Sequence, residues 1–205
     1  MKTIKRIIAV TLVLSTLFCI AGCKKNASFT HESARAAFKK NGAEETEDIS
    51  KIYQAFSRNN NEGGIYYTSK DGTEAQQMFD SIVNRFKQYN EAEVETFTAC
   101  VICHHKEKAT TYFYMFTAKN EKDAKKHFDE ISESAADSTY TDSGEKSGYK
   151  YTIGYESGDR CFIEGAYLKG NIVILVKAIG PESSMKDADD LIKDMKLLSG
   201  YDLAN

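Results

Sequence analysis

The last third of the chain holds three runs of strand-forming residues joined by very short turns, and this feature constrains the fold most. The runs cover 149–155, 160–168 and 171–179 and are rich in β-branched and aromatic residues. Residues 156–159 and 169–170 separate them, and each turn contains the glycine that tight turns need. Because strands joined by such short turns must run antiparallel, the sequence predicts an antiparallel meander here.

Helical periodicity in other segments sets the fold class. Apolar residues recur at three-and-four spacing in 75–89, 124–135 and 188–198. Two shorter helices are expected before them, and further strands are expected at 65–69, 94–106 and 110–118. The expected order is α, α, β, α, β, β, α, β, β, β, α. We therefore expect an α+β domain with a mostly antiparallel β-sheet and helices packed on one face.

A weak internal repeat links strands to the helices that follow them. Residues 67–82 align with 116–131 at a constant offset of 49 residues, and a fainter third copy covers 173–195. Asp71 and Asn120 are placed to cap the first two helices, and Ser184 holds the related position in the third. One repeated strand–helix unit explains the pattern, and convergent capping chemistry explains it equally well.

The first 22 residues have the composition of an export signal. Lys2, Lys5 and Arg6 precede an almost wholly apolar run from 7 to 20, which is too short for a membrane-spanning helix of about 20 residues. Small residues close the run. We expect residues 1–22 to be a removed signal peptide, 23–29 a tether, and 30–205 a single α+β domain.

The end of this segment resembles the lipobox of bacterial lipoproteins. Ile20-Ala21-Gly22-Cys23 carries an aliphatic residue, two small residues and a cysteine. The resemblance implies cleavage before Cys23 and attachment of lipid (diacylglycerol, with palmitate-type acyl chains) to its sulfur. An ordinary secretory signal is the alternative. The expected location is the extracytoplasmic face of a cell membrane, where two acyl chains suffice for stable anchoring.

The mature part also resembles small lipoproteins of Gram-positive (Firmicutes) gut bacteria, for which no activity is known. The likeness rests on segments 38–42, 113–128, 149–152 and 171–176 together with the final helix. It implies anchoring and a compact domain.

The charge balance bears on the partner. The whole chain has 27 basic and 30 acidic residues, and removal of the three basic residues of the signal changes the formal net charge from −3 to −6. Nucleic-acid-binding proteins usually carry a basic face, so no nucleic-acid partner is expected. We expect membrane lipid through Cys23 and a protein, peptide or carbohydrate partner.

One motif suggests a cofactor. Cys100-Val101-Ile102-Cys103-His104 has the spacing for covalent attachment of a c-type haem, with His104 as the proximal iron ligand. Met115 or His127 could supply a second ligand. However, the motif lies in a predicted strand, where residues three apart point to opposite faces, and no glycine or proline breaks the run. Two thiols on opposite faces do not bridge one porphyrin.

The same cysteines allow other interpretations. Two strand residues three apart have alpha carbons about 10 Å from each other, beyond disulfide reach, so Cys100 does not pair with Cys103. Cys161 could pair with Cys100 or with Cys103 if their strands adjoin, and buried thiols are the alternative. A zinc site of Cys100, Cys103, His104 and His105 has poor geometry, and no metal site is expected.

The remaining sequence features indicate no specific function. The sequence lacks nucleophile-elbow, HExxH and phosphate-loop motifs, and His31 and His127 are interpreted as surface residues. Aromatic rows (Tyr149, Tyr151 and Tyr155; Tyr112, Tyr114 and Phe116) either cover the core or form a stacking surface. The leading hypothesis is a non-catalytic binding domain of unknown ligand. The alternatives are a c-type haem electron carrier and an accessory solute-binding component of a transporter.

Overall fold

The computed structural model describes residues 29–58, 63–83, 93–104 and 109–204. The signal segment, Cys23, His105 and the second half of the stripe predicted at 75–89 lie outside these ranges. Within them, no helix is long and apolar enough to cross a membrane.

Eight strands and five α-helices follow one another along these ranges. The strands are β1 (Ala43–Glu45), β2 (Gly63–Thr68), β3 (Val94–His104), β4 (Ala109–Ala118), β5 (Tyr140–Lys146), β6 (Tyr149–Glu156), β7 (Cys161–Lys169) and β8 (Ile172–Gly180). The helices are α1 (His31–Lys40), α2 (Ile49–Arg58), α3 (Gly72–Met78), α4 (Glu121–Ala136) and α5 (Glu182–Asp194). A π-helical turn, Phe79–Val83, continues α3, and a 3₁₀ turn, Gly200–Leu203, follows α5.

The strands form one sheet in the order β1-β2-β3-β4-β8-β7-β6-β5. Every neighbouring pair is antiparallel except β1 with β2. The predicted α+β class with a mostly antiparallel sheet is therefore confirmed. The predicted meander corresponds to β6, β7 and β8, whose bounds differ from the prediction by one residue.

Helices cover both faces of the sheet, so the expectation of one covered face is wrong. On one face, α1 and α5 pack through Phe38 and Ile192 against a cluster that includes Phe113 and Val176. On the other face, α2, α3 and α4 pack against a second cluster that includes Phe116. The physical reason lies in the central strands. Residues 173–176 of β8 are apolar without alternation, which is the pattern of a strand buried on both sides.

The three strand–helix units differ in their caps. The side chain of Asp71 accepts a hydrogen bond from the Glu74 backbone N–H at the start of α3, and Asn120 accepts one from Asp123 at the start of α4, both at 2.9 Å. The helix of the third unit, α5, begins after Pro181 with no side-chain cap. Ser184 lies inside α5, and its buried hydroxyl has no hydrogen-bond partner among the described residues. The first two units match the prediction, and the third does not use Ser184 as its cap.

Two strands were not expected from the sequence. β1 is three residues long, and all seven residues of β5 are exposed at the edge of the sheet. Asp142, Glu145 and Lys146 give β5 no apolar alternation, which is why sequence patterning misses it. Charged side chains on an edge strand also oppose unwanted pairing with other chains.

Candidate functional site

The site we single out is an apolar cleft over the sheet between α3 and α4. Its cavity measures about 150 Å³. It is lined by Ile82, Val83, Tyr114, Ile131, Ala135, Glu164, Leu175, Val176 and Lys177. Two larger recesses, of about 250 and 220 Å³, have more charged linings. Of these three recesses, the cleft best suits an apolar group.

Three adjacent strands form the floor of the cleft. Tyr114 of β4 lies opposite Leu175 of β8, and Lys177 lies opposite Glu164 of β7. Alternation along β8 places Leu175 and Lys177 on the same face of the sheet. Both residues are only partly buried, although most of the sheet beneath the helices is fully covered.

An ion pair closes one side of this floor. The Lys177 ammonium donates to the Glu164 carboxylate, with 44% of the lysine side chain and 12% of the glutamate side chain exposed. Because the glutamate is mostly desolvated, removing the lysine would leave a poorly solvated charge beside apolar carbon. The pair gives an otherwise apolar cleft one polar rim.

The π-helical turn supplies the wall on one side. It carries Ile82 and Val83 into the lining, and both are partly buried. π-helical turns occur frequently at functional sites, because the extra residue changes the direction in which side chains point. The chain continues from Val83 into residues 84–92, which lie outside the described ranges.

Aromatic side chains extend the floor towards α2. Phe56 stacks on Tyr114 at 5.2 Å between ring centroids and contacts Tyr112 at 5.4 Å. Tyr114 is half-buried, and Phe116 further along β4 is fully buried. The row therefore covers the core, and Tyr114 also lines the cleft.

The other aromatic row is also part of the core. Tyr149 and Tyr155 are 2% and 1% exposed, and Tyr151 is partly buried. Their rings contact Phe29, Tyr167 and Tyr201. This row forms no open stacking surface.

His127 lies one helical turn before Ile131 and is buried, which corrects its interpretation as a surface residue. It is 1% exposed, and its ring makes T-shaped contacts with Phe79 and Phe116. Burial lowers its pKa, although the Glu130 carboxylate, 3.5 Å from Nδ1, acts in the opposite direction. A neutral His127 joins α4 to the π-helical turn beside the cleft.

His31 is likewise partly buried. Its Nδ1 lies 2.7 Å from the Thr98 hydroxyl and its Nε2 lies 3.0 Å from the Thr117 hydroxyl. The ring thus bridges β3 and β4, and a hydrogen bond between Thr98 and Thr68 extends the cluster to β2. Burial, helped by the Arg35 charge, lowers the His31 pKa to about 4. The sequence gives no signal for this cluster, because its threonines come from separate strands.

The cysteines do not form the sites considered from the sequence. Cys100 belongs to the cluster under α1 and α5, whereas Cys103 packs under α2 on the other face. Both are buried, and burial raises the pKa of the Cys100 thiol well above its usual value. This arrangement does not fit a c-type haem, which needs both thiols on one side with His104 nearby.

The disulfide of Cys161 with Cys100 or Cys103 is not formed either. Cys161 lies on β7, and two strands separate β7 from β3. With strands about 4.8 Å apart, that distance is about 14 Å, well beyond disulfide reach. All three residues are buried thiols without a disulfide bond. In the described ranges, no group of three or more histidine, cysteine or acidic residues could hold a metal ion.

Comparison with known proteins assigns no family. No protein-family model matches the chain, and no curated protein is significantly similar. The chain is similar to the solved extracellular domain of PknH from Mycobacterium tuberculosis, with 11% identity over 72% of this chain and 91% of that one, at a TM-score of 0.36. LpqN, involved in cell envelope biogenesis of the same organism, shows 9% identity over 48% and 67% of the two chains, at a TM-score of 0.31. Such low values do not establish a common fold, and no function is carried over from them.

Proposed function

We propose that this chain is an extracytoplasmic lipoprotein, held at the membrane by acylated Cys23, whose domain binds a partner without catalysis. The basic start, the short apolar run and the resemblance of residues 20–23 to a lipobox support the anchor. The described domain begins at Phe29, only six residues after Cys23.

The apolar cleft between α3 and α4 is the observation that supports a binding function. Tyr114, Leu175 and Lys177 on its floor are only partly buried, although helices cover both faces of the central strands. The cleft offers apolar carbon beside one ion pair, which is a surface suited to holding a side chain. The two charged groups of the cleft, Lys177 and Glu164, form an ion pair with each other. Such a pair is suited to orienting the polar groups of a bound partner and less suited to transferring a proton.

The size of the cleft indicates the kind of partner. Small-molecule sites usually measure about 300–1,000 Å³, whereas a cavity of about 150 Å³ accepts a group the size of benzene. The cleft therefore fits one apolar side chain of a protein or peptide. Neighbouring polar groups of that partner would face Lys177 and Glu164 at the rim.

A matched pair of substitutions on α4 tests this. Ala135 lines the cleft, whereas its neighbour Ala136 is exposed. We expect Ala135→Leu to fill the cleft and Ala136→Leu to leave it open. Peptides are first selected from a random displayed library on the immobilised mature protein, and their affinities for both variants are then measured by titration.

The proposal requires selected peptides to share an apolar anchor and to lose at least about tenfold in affinity for Ala135→Leu, the cost of about 1.4 kcal/mol of lost contact. Binding to Ala136→Leu should be unchanged. Thermal unfolding of both variants shows whether the fold is kept. Equal affinity for the two variants would exclude the cleft as the binding site.

A further inference from the structure

We propose that one end of the domain, the end at which the tether enters, rests on the anionic headgroups of the membrane. This inference deepens the proposed function and depends on acylation of Cys23. The surface is defined by Lys146, Lys150 and Lys169, around the β5–β6 and β7–β8 turns, and is called the basic end below.

The point of entry is fixed by packing. Phe29 is 5% exposed, and its ring lies 5.4 Å from that of Tyr149 at the start of β6. The ammonium of Lys169, at the end of β7, lies 5.8 Å from the centre of the Phe29 ring. Phe29, the first described residue, therefore packs against the basic end, so the tether joins the domain there.

The length of the tether limits how far this end can stand from the bilayer. Phe29 is six positions after Cys23, and six fully extended residues span about 20 Å. The β6–β7 turn at the other end of these strands lies a further 25–30 Å away, because β7 has nine residues that rise about 3.3 Å each. An acylated Cys23 thus places the basic end, and not the β6–β7 turn, next to the headgroups.

The charges at the two ends favour the same orientation. Lys150 and Lys169 line a recess of about 250 Å³ together with Lys125, which pairs with Asp129, and with Glu121 and Glu145. Lys146 lies on the same end of the sheet. The β6–β7 turn instead carries Glu156 and Asp159 beside Arg160. Since the mature chain has a formal net charge of −6, an anionic surface repels most of the domain and attracts this end.

Tight turns keep the basic end compact. Gly148 and Gly170 have φ values of +76° and +58°, which side chains other than glycine rarely tolerate. The lysines therefore flank two short turns with little backbone projecting beyond them. A flat bilayer surface can then approach them closely.

The test uses acylated mature protein reconstituted into vesicles of phosphatidylcholine, with or without an equal share of phosphatidylglycerol. A fluorophore is attached in separate preparations through Ser147→Cys at the basic end and through Ser157→Cys in the β6–β7 turn, where both serines are exposed. Cys100, Cys103 and Cys161 are buried and should not be labelled. A quencher on the lipid headgroups reports which label lies near the membrane.

Two charge-reversed proteins serve as variant and matched control. Lys146→Glu, Lys150→Glu and Lys169→Glu are combined in the variant. The control combines Lys39→Glu, Lys40→Glu and Lys186→Glu, exposed residues at the end of α1 and the start of α5. Both proteins change net charge equally.

We expect stronger quenching at Ser147→Cys than at Ser157→Cys on anionic vesicles, loss of that difference in the variant, and its retention in the control. Equal quenching of both labels while the protein sediments with the vesicles would overturn the orientation and leave the anchor intact. If the protein purified from cell membranes for this test carries no lipid on Cys23, the anchor is overturned, and the orientation with it. If the triple Lys→Glu variant keeps the stronger quenching at Ser147→Cys than at Ser157→Cys, the role of the lysines is contradicted.

Discussion

His31 and His127 show how single residues that look like surface groups are used to position helices. His31 joins α1 to β3 and β4 through two threonine hydroxyls, and His127 packs against two phenylalanine rings. In both cases burial lowers the histidine pKa, so the neutral ring is the form that the folded state holds. We therefore expect protonation of these rings at low pH to weaken both contacts.

The His31 contact predicts a pH dependence of stability. The unfolded chain protonates this ring near its ordinary pKa of 6.5, whereas the folded chain does so only near 4. Between these values the unfolded state binds more protons, so the free energy of unfolding falls as the pH is lowered. After allowance for partial exposure, we expect a loss of about 1–2 kcal/mol by pH 4.

The measurement compares wild type with His31→Gln by urea unfolding at pH 7.5 and at pH 4. Glutamine keeps a hydrogen-bonding side chain but does not titrate there, so the difference between the two proteins should shrink at low pH. Glu32→Gln, an exposed neighbour, is the control and should leave the His31 effect in place. A pH-independent difference would show that the ring is not held neutral.

At the scale of elements, the caps of the three strand–helix units make a second prediction. Asp71→Ala and Asn120→Ala each remove the hydrogen bond that begins a helix and should each lower the free energy of unfolding by about 1 kcal/mol. Ser184→Ala removes a buried hydroxyl that has no hydrogen-bond partner in the described part of the chain, so it should stabilise the protein, by about 1 kcal/mol.

Urea unfolding of the three variants measures these changes. Ser183→Ala, at the exposed neighbouring position of α5, is the control and should change stability by less than about 0.5 kcal/mol. A loss at Ser184→Ala as large as at Asp71→Ala would mean that all three helices share one capping scheme.

The sequence predicts elements well where pattern and turn chemistry agree. The strands β6, β7 and β8 combine apolar residues with glycine turns, and each was placed within one residue. Sequence patterning does not predict the edge strand β5, because most of its residues are polar and all of them are exposed. The covering of both sheet faces was also missed, although residues 173–176 already lack the alternation of a half-exposed strand.

The sequence predicts little of the candidate site. The sequence places Tyr114 in an aromatic row, but the cleft also depends on Leu175, Ala135 and Val83, which come from separate elements. No spacing in the sequence brings these residues together. The cysteine motif shows the reverse case, because its spacing suggested a haem whereas its strand geometry places the two thiols on opposite faces.

At the scale of the whole molecule, the proposed tether enters at one end of the sheet, and the cleft lies on one face of it. The cleft lies around Tyr114, Leu175 and Lys177, several residues along the strands from the basic end. A domain that rests on its basic end would keep this cleft open to the cell exterior. A partner could then reach it without entering the headgroup layer.

The central claim is that lipid on Cys23 holds this domain at the membrane, and intact-mass spectrometry of the protein extracted from cell membranes tests it most directly. The account predicts a chain that begins at Cys23 and carries a diacylglyceryl group, and it predicts that Cys23→Ser is not processed in this way. A membrane-extracted chain that still begins at Met1, or one that begins at Cys23 and carries no lipid, would contradict it.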